Sequence, residues 1–419
     1  MTLQTSCFRR QDENKKKPKW TVLGSGVNQY GQLGQHLTHD SPVDTSGQAI
    51  KEQFDEKGNC LWAKGKSDED EAADETVLGA FRPIPFHRDC GIPRDYKPLS
   101  VSAGGAHCAV VFGHVDYDAS GTPQENIARA IEYPNFVVTL GNNDFGQCGV
   151  EDERYSNYNI IDDLQYHDGE RHHQWHPFKT VCGESHTIFL SRRIGMRPTR
   201  GWRVFTCGLN DDGQLGQNHF DPVSTPQVID KLPPMSQISS KSDFCLGLDT
   251  YDNIWGWGSN VDGVFGSFTE ELTISRPYLL TQKRFNSYLD SPPVMVAAGS
   301  RAGILLTAKK TVYTFGTGLL GYNGETRDVM SAMPIPVNRD FFAGSKPSAV
   351  FAGADVFGVI TDIGELYTWG KSDFNSIGLY EESSKPIQPF PWRASKGLTF
   401  KNVLDVDFGV DHLVTLTAI

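Results

Sequence analysis

The sequence predicts an all-β fold, a β-propeller with six clear repeats, and three observations carry this prediction. Two short phrases alternate along the chain, glycine is abundant at 42 of 419 residues, and long apolar heptads are absent. Aromatic and β-branched residues are plentiful, and together with glycine they favour many short strands joined by tight turns. A pattern that recurs at a regular spacing indicates a repeat architecture rather than several unrelated domains.

The first phrase is an apolar strand that ends in Gly-x-Gly or a close relative and is followed by Gly-Gln-Leu-Gly or a relative. It is clearest at 22–34, 138–149 and 204–216, and it decays through 254–266 and 312–324 to 366–378. Glycine tolerates positive φ and the close approach of another backbone. We therefore expect these glycines in tight turns and where strands crowd near a central axis.

The second phrase is Ala/Cys-Gly-x-x-His, or a relative of it, leading into an apolar strand. Its six copies lie at 102–112, 181–190, 239–248, 297–306, 351–360 and 407–416. A short turn separates each copy from the strand of the next first phrase, so the two phrases predict an antiparallel hairpin. A hairpin with flanking strands makes a four-stranded blade, and blades arranged in a circle hide their sheet edges.

The two ends of the sequence supply complementary halves of a hairpin, so we expect them to complete one blade together. The number of blades depends on residues 35–96. They either conceal a seventh blade, since 60–70 faintly resembles 366–375, or form an acidic surface insertion around 67–75, which is the preferred interpretation. The predicted organisation is a basic segment at 1–19 and one propeller domain at 20–419, with insertions at 35–96, 113–135 and 191–203.

Composition excludes several classes of protein. The net charge of −12 argues against a generally basic surface for nucleic acid, although it allows a local basic patch. The eight cysteines form no Cys-x-x-Cys pair, and several fall in strand-like runs, which indicates a reducing compartment without disulfides. No apolar run is long enough to span a membrane. Residues 1–19 lack the apolar core of a secretory signal and match a mitochondrial transit peptide only in part.

These phrases resemble the regulator of chromosome condensation repeat over essentially the whole chain from Trp20. Four irregular stretches resemble its mitochondrial G-exchanging-factor-like branch, which includes the Williams–Beuren region protein: GNNDFGQCG at 141–149, TFGTGLLG at 314–321, FPW at 390–392 and GVDHLVTL at 409–416. The family's fold is a seven-bladed propeller. The branch carries a transit peptide and one further repeat ahead of the position that matches Trp20, which leaves six and seven blades both open here.

The resemblance implies a protein of the mitochondrial matrix, peripheral to the inner membrane and without a transmembrane segment. It implies a scaffold that binds mitochondrial large-subunit ribosomal RNA and ribosome assembly factors, and so supports mitoribosome assembly and mitochondrial translation. The alternative it implies is guanine nucleotide exchange on a mitochondrial dynamin-like fusion GTPase. Neither function requires covalent chemistry, so we expect no catalytic residues and no cofactor.

The first candidate site is the set of Gly-x-x-His turns, which a propeller brings together on one face of the disc. In the founding exchange factor of the family, His and acidic side chains at these positions help bind the GTPase. Asp243, Arg301 and Asp355 stand where three blades depart from the histidine pattern. The alternative is that each polar side chain only caps its turn. The matching residues form a putative GTPase-facing ring: His107, Glu184, His186, Asp243, Arg301, Asp355, Asp411 and His412.

The second candidate site is the arginine loop SRRIGMRPTRGWR at 191–203. Guanidinium groups suit phosphate oxygens, and an aromatic ring can stack on an unpaired base, so the loop predicts RNA contact. The alternative is a solvated loop with Trp202 at the start of the next strand. The candidate residues are Arg192, Arg193, Arg197, Arg200, Trp202 and Arg203.

Two further segments have weaker signals. The histidine-rich segment 165–177 would bring His173 and His176 to one metal only if it were helical, and HRDC at 87–90 could add ligands. No carboxylate or cysteine has a standard zinc spacing, so we expect a polar loop between blades and no metal site. Residues 120–133 predict a short helix on the rim, with Pro123 in its first turn.

Overall fold

The computed structural model describes 16 ranges of the chain. They are 6–10, 19–27, 77–83, 91–93, 95–114, 133–151, 155–162, 164–167, 172–193, 201–265, 271–280, 286–321, 329–371, 387–393, 403–408 and 413–417. Within these ranges the regular elements are β-strands, apart from a 3₁₀ turn at Arg339–Phe342, which is the one such turn that they contain. The all-β propeller predicted from the sequence is confirmed.

The strands of the described residues form seven antiparallel sheets, which we number as blades I to VII. Blade I holds β1 (Ser6–Arg10), β2 (Lys19–Val27) and β3 (Val77–Pro83), and blade II holds β4 (Tyr96–Ala103), β5 (His107–His114), β6 (Phe136–Asn142) and β7 (Tyr155–Ile161). Blade III holds β8 (Leu164–His167), β9 (His172–Cys182), β10 (His186–Arg192), β11 (Trp202–Gly208) and β12 (Val223–Val228).

The second half of the chain repeats the same unit. Blade IV holds β13 (Met235–Ser240), β14 (Phe244–Asp249), β15 (Ile254–Ser259) and β16 (Thr273–Leu279), and blade V holds β17 (Pro293–Ala298), β18 (Ala302–Thr307), β19 (Val312–Gly318) and β20 (Val329–Pro336). Blade VI holds β21 (Pro347–Ala352), β22 (Val356–Thr361), β23 (Leu366–Lys371) and β24 (Ile387–Arg393), and blade VII holds β25 (Val403–Phe408) and β26 (Leu413–Thr417).

Each of blades II to VI contains four successive strands in chain order, which we call strands a, b, c and d, and blade III has β8 as a fifth strand beside its strand a. The a strands are β4, β9, β13, β17, β21 and, in blade VII, β25, and those of successive blades contact each other. They therefore lie nearest the axis of the disc. The core lies between blades: Val111 and Val137 of blade II, for example, pack with Phe189 and Phe205 of blade III.

The direction of the strands gives the disc two distinct faces. Each b strand starts at a Gly-x-x-His turn and runs to the turn that joins it to strand c, so these two kinds of turn lie at opposite ends of the blade. We call the end with the Gly-x-x-His and Gly-Gln-Leu-Gly turns the upper face, and the end with the b–c turns the lower face. A six-residue strand separates them by about 20 Å. The predicted insertions at 113–135 and 191–203 both lie in b–c turns, and thus on the lower face.

Two expectations from the sequence need correction. The two ends of the sequence do not complete one blade together. Strand β1 pairs with β2, in the place expected for a strand from the other end, and β25 and β26 form a sheet of their own. A strand nearby in sequence closes a shorter loop and so loses less chain entropy. The segment 35–96 is also not all insertion, because it contains β3, which pairs with β2. Residues 60–75, and most of the predicted helix at 120–133, lie outside the described ranges.

One irregularity recurs at the same place in six blades. Each a strand has a one-residue bulge, where two residues face one on the neighbouring b strand. An unpaired bulge residue leaves the ladder and is aimed away from its neighbours. The bulge residues, in chain order, are Leu99, Phe178, Ser236, Val294, Ser348 and Leu404.

Candidate functional site

The Gly-x-x-His turns have a common register in the structure. Strand b begins at the fourth residue of each turn, which is a histidine in blades II and III. In blades IV to VI the fourth residue is Phe244, Ala302 or Val356. The prediction that Asp243, Arg301 and Asp355 replace the histidine is therefore wrong, because they stand one residue earlier, at the third position of their turns. A shift of one residue moves a side chain to the other face of a strand, so the two sets have different environments.

His107 and His186 are fully buried and connect neighbouring blades. Nε2 of His107 lies 2.8 Å from Oγ1 of Thr187 in blade III, and Nε2 of His186 lies 3.2 Å from Oγ of Ser240 in blade IV. A side chain with no exposed surface cannot contact a partner. The prediction that these two histidines face a GTPase is therefore wrong, and they are structural links between blades.

The hydrogen bonds define the protonation state of both rings. The Thr187 hydroxyl donates to the carbonyl of Gln147, at 2.7 Å, and the Ser240 hydroxyl donates to that of Phe244, at 2.8 Å. Each hydroxyl must accept from its histidine, which places the proton on Nε2. Burial lowers the pKa of His107 to about 4 and that of His186 to about 3. Both rings are therefore neutral at physiological pH.

The glycine of the motif is explained by the same packing. A Cβ at Gly104 would collide with the ring of His107, and a Cβ at Gly183 would collide with the ring of His186. The buried imidazole occupies the space that a side chain at the first position would need. Glycine and histidine therefore occur together because one makes room for the other.

Backbone hydrogen bonds join the upper turns from blade to blade. The Gly105 amide donates to the Glu184 carbonyl at 2.9 Å, the Glu184 amide to the Ser242 carbonyl at 3.5 Å, and the Ser300 amide to the Ala354 carbonyl at 2.9 Å. These residues all occupy the second position of their turns. On the upper face these backbone bonds join the turns of blades II, III and IV to each other, and those of blades V and VI to each other.

Carboxylates dominate the described part of this face between blades III and IV. We call Glu184, Asp212 and Asp243 the acidic turn cluster. Glu184 is exposed, and burial together with Asp212 and Glu184 raises the pKa of Asp243. Burial, with a contribution from Asp211, raises the pKa of Asp212. A partner that brings positive charge would relieve this repulsion.

The remaining members of the predicted ring lie beside or beyond this cluster. Arg301 forms an ion pair with Asp355 of the next blade, with 3.2 Å between Nη2 and Oδ1. A polar cleft between blades IV and V is lined by Ser242, Asp243, Ser259, Asp262, Ser300 and Arg301, with Phe244 and Val264 behind them. Asp411 and His412 lie outside the described residues.

The arginine loop leaves the lower end of blade III, where two arginines lie over tryptophan rings. Cζ of Arg192 is 5.9 Å from the ring centre of Trp202, and Cζ of Arg203 is 5.5 Å from that of Trp175. Trp202 begins β11, as the solvated-loop alternative expected, and its ring meets Phe178 edge to face at 5.6 Å. Arg197 and Arg200 lie outside the described residues.

These side chains lie at the lower end of blade III, which we call the basic–aromatic edge, with the Arg203–Trp175 pair on the side that packs against blade II and the Arg192–Trp202 pair on the side that packs against blade IV. Exposed Lys179 adjoins Phe178, and the Arg193 amide bonds the Gly201 carbonyl at 2.8 Å across the base of the loop. Contact with a ring orders a guanidinium group before any ligand binds and so reduces the entropy lost on binding. Its members are Trp175, Phe178, Lys179, Arg192, Arg193, Trp202 and Arg203. Sequence reasoning missed Trp175, Phe178 and Lys179, because strand β9 precedes the loop by many residues and meets it only in the sheet.

The histidine-rich segment is a hairpin of β8 and β9, so the prediction of an inter-blade loop is wrong. It is not helical either, and the spacing that would bring His173 and His176 to one metal is not formed. Across the described ranges no group of three or more metal-binding side chains is close enough to hold an ion. HRDC at 87–90 lies outside those ranges.

Two remaining features concern compartment and membrane. Five cysteines of the described residues, Cys108, Cys148, Cys182, Cys207 and Cys245, are buried free thiols, and burial raises the pKa of Cys182 to about 11. They act as small apolar side chains. In the same part of the chain, no helix is long and apolar enough to cross a bilayer.

Comparisons with known proteins agree with this architecture. The family of the regulator of chromosome condensation (RCC1) repeat matches residues 203–248. An RCC1-like G exchanging factor-like protein from Mus musculus is 27% identical over 413 residues, which cover 96% of this chain and 73% of the relative. The Homo sapiens protein of the same name is 28% identical over 80% of this chain, and the match spans 65% of that protein.

A more distant relative and two solved structures extend the comparison. The secretion-regulating guanine nucleotide exchange factor of Mus musculus is 29% identical over 52% of this chain and 47% of its own length. The crystal structure of human WBSCR16 has a TM-score of 0.67 at 24% identity, covering 94% of this chain and 81% of that one. Yeast RCC1 (Prp20), in a crystal with Kap60, has a TM-score of 0.64 at 17% identity, covering 95% and 76%. The chain therefore shares its fold with the regulator of chromosome condensation repeat proteins, and over most of its length it is similar to the RCC1-like G exchanging factor-like proteins.

Proposed function

We propose that the chain is a non-enzymatic scaffold that binds large-subunit ribosomal RNA of mitochondria, and its assembly factors, through the basic–aromatic edge. In this role it supports mitoribosome assembly and mitochondrial translation. The observation that carries the proposal is the pairing of Arg192 with Trp202 and of Arg203 with Trp175 at one end of blade III. Guanidinium groups bind phosphate oxygens in a forked geometry, and the exposed Phe178 ring beside half-buried Trp202 can stack on a base, so this edge has both elements of an RNA surface, while buried Trp175 only orders Arg203.

The charge of the rest of the molecule makes the edge selective. The whole chain has a net charge of −12, and an acidic body repels a phosphate backbone. An RNA strand is therefore attracted only where cations are concentrated. The acidic turn cluster lies on the opposite face, so the two surfaces can act independently.

The mitochondrial location belongs to the same proposal. It is supported by the four irregular stretches that resemble the mitochondrial branch, and it puts the protein in the matrix, peripheral to the inner membrane. A tagged chain should follow matrix markers in fractionated mitochondria and should leave the membrane in alkaline carbonate. Recovery outside mitochondria would contradict the location without affecting RNA binding.

Changing Arg192, Arg193, Arg197, Arg200 and Arg203 to Glu should abolish RNA contact. We expect affinity for a fluorescent single-stranded RNA to fall by about 100-fold or more at 150 mM salt, because log affinity depends on the number of phosphates neutralised. Crosslinking in intact mitochondria should recover large-subunit ribosomal RNA with the unchanged chain and lose it with the variant.

Two controls separate lost binding from lost folding. A charge-matched variant replaces five exposed lysines elsewhere, Lys231, Lys309, Lys310, Lys346 and Lys371, with Glu and should keep most of the affinity. A triple variant of Arg193, Arg197 and Arg200 keeps both arginine–tryptophan pairs and should melt like the unchanged chain while losing affinity. Equal effects of the arginine and lysine variants would show that total charge, not this edge, governs binding.

A second candidate function is guanine nucleotide exchange on a mitochondrial dynamin-like fusion GTPase. The acidic turn cluster favours it, since three carboxylates stand together on the upper face, two of them with raised pKa. Two relatives are also named for exchange activity. An exchange factor needs no covalent chemistry, because it acts by binding the nucleotide-free GTPase most tightly.

Release of fluorescent GDP from such a purified GTPase tests this second function. We expect the unchanged chain to accelerate release at least tenfold and a Glu184→Gln/Asp243→Asn variant to lose most of that acceleration, since the carboxylates supply the charge that meets the partner. The arginine-to-glutamate variant should retain it. No acceleration at saturating chain would refute exchange on that GTPase.

A further inference from the structure

The bulge residues of the a strands differ in whether their side chains form contacts within their own blade. Ser236 and Ser348 donate back to the Leu248 and Ile360 carbonyls, each at 3.0 Å, so their side chains are engaged within their own blades. Leu99, Phe178 and Val294 are instead apolar and 42%, 43% and 37% exposed. Among the bulge side chains that the structure describes, Phe178 alone is aromatic.

Phe178 is also the bulge residue with positive charge around it. Lys179 follows it and is exposed, and the Phe178 ring touches Trp202, which lies under the Arg192 guanidinium. An open aromatic ring, an exposed cation and a guanidinium group therefore meet within one blade.

The bulge itself explains why this ring is open. A phenylalanine in regular register on β9 would point to one of the two faces of the sheet, and each of these faces packs against a neighbouring blade. The extra residue removes Phe178 from the pairing, since Leu190 faces Lys179 and Ser191 faces Pro177. Burial of an aromatic ring is favourable, so an exposed ring with cations beside it indicates a binding surface.

We propose that Phe178 is the residue on which an unpaired RNA base stacks, and that the basic–aromatic edge therefore takes single-stranded rather than double-stranded RNA. This inference rests on the RNA-binding function proposed above. Bases in a duplex are stacked on each other and cannot reach a ring on a protein, whereas every unpaired base offers a face. Arg192, Arg193 and Lys179 then contact the phosphates on either side of the stacked base.

The occupant is a nucleotide and not an apolar peptide because of what surrounds the ring. A docking groove for an apolar segment needs a continuous apolar patch, whereas the Phe178 and Trp202 rings are bordered by the charged Lys179 and Arg192. Positive charge beside a small aromatic patch complements a phosphate beside an unpaired base. An acidic protein segment is the competing occupant, and the experiment below distinguishes it.

The matched pair of variants is Phe178→Ala and Leu99→Ala. Leu99 is the equivalent bulge residue of blade II and is almost equally exposed, so loss of its side chain removes similar apolar surface without an aromatic ring. The probe is a 12-nucleotide fluorescein-labelled RNA, single-stranded or annealed to its complement, and the measurement is anisotropy at 150 mM salt. Thermal melting of each variant checks that the disc is intact.

We expect Phe178→Ala to weaken single-stranded RNA binding by about tenfold to a hundredfold, Leu99→Ala to change it less than twofold, and Phe178→Trp to retain it. The dependence of affinity on salt should stay unchanged in Phe178→Ala, because no phosphate contact is lost. The duplex should bind more weakly than the single strand and should not respond to Phe178→Ala.

The outcomes separate this inference from the function on which it rests. If the unchanged chain binds neither form of RNA, the proposed function fails. If it binds and the arginine variant does not, but Phe178→Ala binds like Leu99→Ala, only the stacking role is overturned. Equal affinity for duplex and single strand overturns the preference for unpaired RNA. If Phe178→Ala loses binding of an acidic peptide but keeps RNA binding, the ring belongs to a site for a protein partner, and the stacking role is also overturned.

Discussion

Replacing Gly258 with alanine is expected to destabilise the disc by about 4 kcal/mol or more, which is exceptional for a single substitution. Gly258 is the second glycine of a Gly-x-Gly phrase and has φ of 98°. A Cβ there would collide with the Asp243 carbonyl oxygen and come within 2.8 Å of Cα of Phe244. Neither backbone atom can move without loosening the 2.8 Å hydrogen bond from the Ser259 amide to Asp243. Urea unfolding followed by tryptophan fluorescence measures the loss.

Gly344→Ala is the matched control. Gly344 also has a positive φ, of 86°, but nothing lies within 4 Å of the position of a Cβ. Its cost should be only the strain of the left-handed backbone, about 1 to 2 kcal/mol. Similar losses in the two variants would mean that conformation alone, and not packing against the Asp243 turn, makes glycine necessary at position 258.

Acid is expected to remove about 5 kcal/mol of stability through the two buried histidines between pH 7.5 and pH 4.5. Burial lowers the folded pKa of His107 to about 4 and of His186 to about 3, from an ordinary value of 6.5. Above pH 6.5 both states are neutral and the contribution is constant. As the pH falls below 6.5, the two histidines bind protons in the unfolded chain but stay neutral in the folded chain, so the free energy of unfolding declines. It stops declining below the folded pKa values.

The pH dependence is measured as the free energy of unfolding in urea at several pH values. His107→Gln and His186→Gln should each be less stable than the unchanged chain at pH 7.5 and should each flatten its decline between pH 6.5 and 4.5. Carboxylates titrate alike in all three proteins, so they cancel in the comparison. Parallel curves would refute the role of the histidines. Nitrogen-15 shifts of the rings should also report Nε2–H tautomers that persist at pH 5.5.

The repeated strands and hairpins were predictable because their signals are local. Glycine, short apolar runs and turn residues indicate structure within a few positions, and the blades follow from their repetition. The register of the Gly-x-x-His turns was missed by one residue because charged side chains were aligned with histidine. Aligning the apolar runs that begin at His186, Phe244 and Ala302 would have given the correct register.

Contacts between distant segments were harder to predict. The bulge positions hold leucine, phenylalanine, serine and valine, so no residue type marks them, and only the pairing of strands shows that they are equivalent. The arginine loop was visible in the sequence as a cluster of charge. Its partners Trp175 and Phe178 were not, because strand pairing rather than proximity in the chain brings them to it.

The histidine links between blades also give the disc a direction of assembly. His107 finds its acceptor 80 residues later in the chain, and His186 finds its acceptor 54 residues later. During synthesis blades II and III therefore each emerge with an imidazole whose burial waits for the blade after it. Blade III cannot be finished until blade IV has left the ribosome. This part of the ring is in this sense a head-to-tail polymer within one chain, in which blades II and III are each completed by their successor.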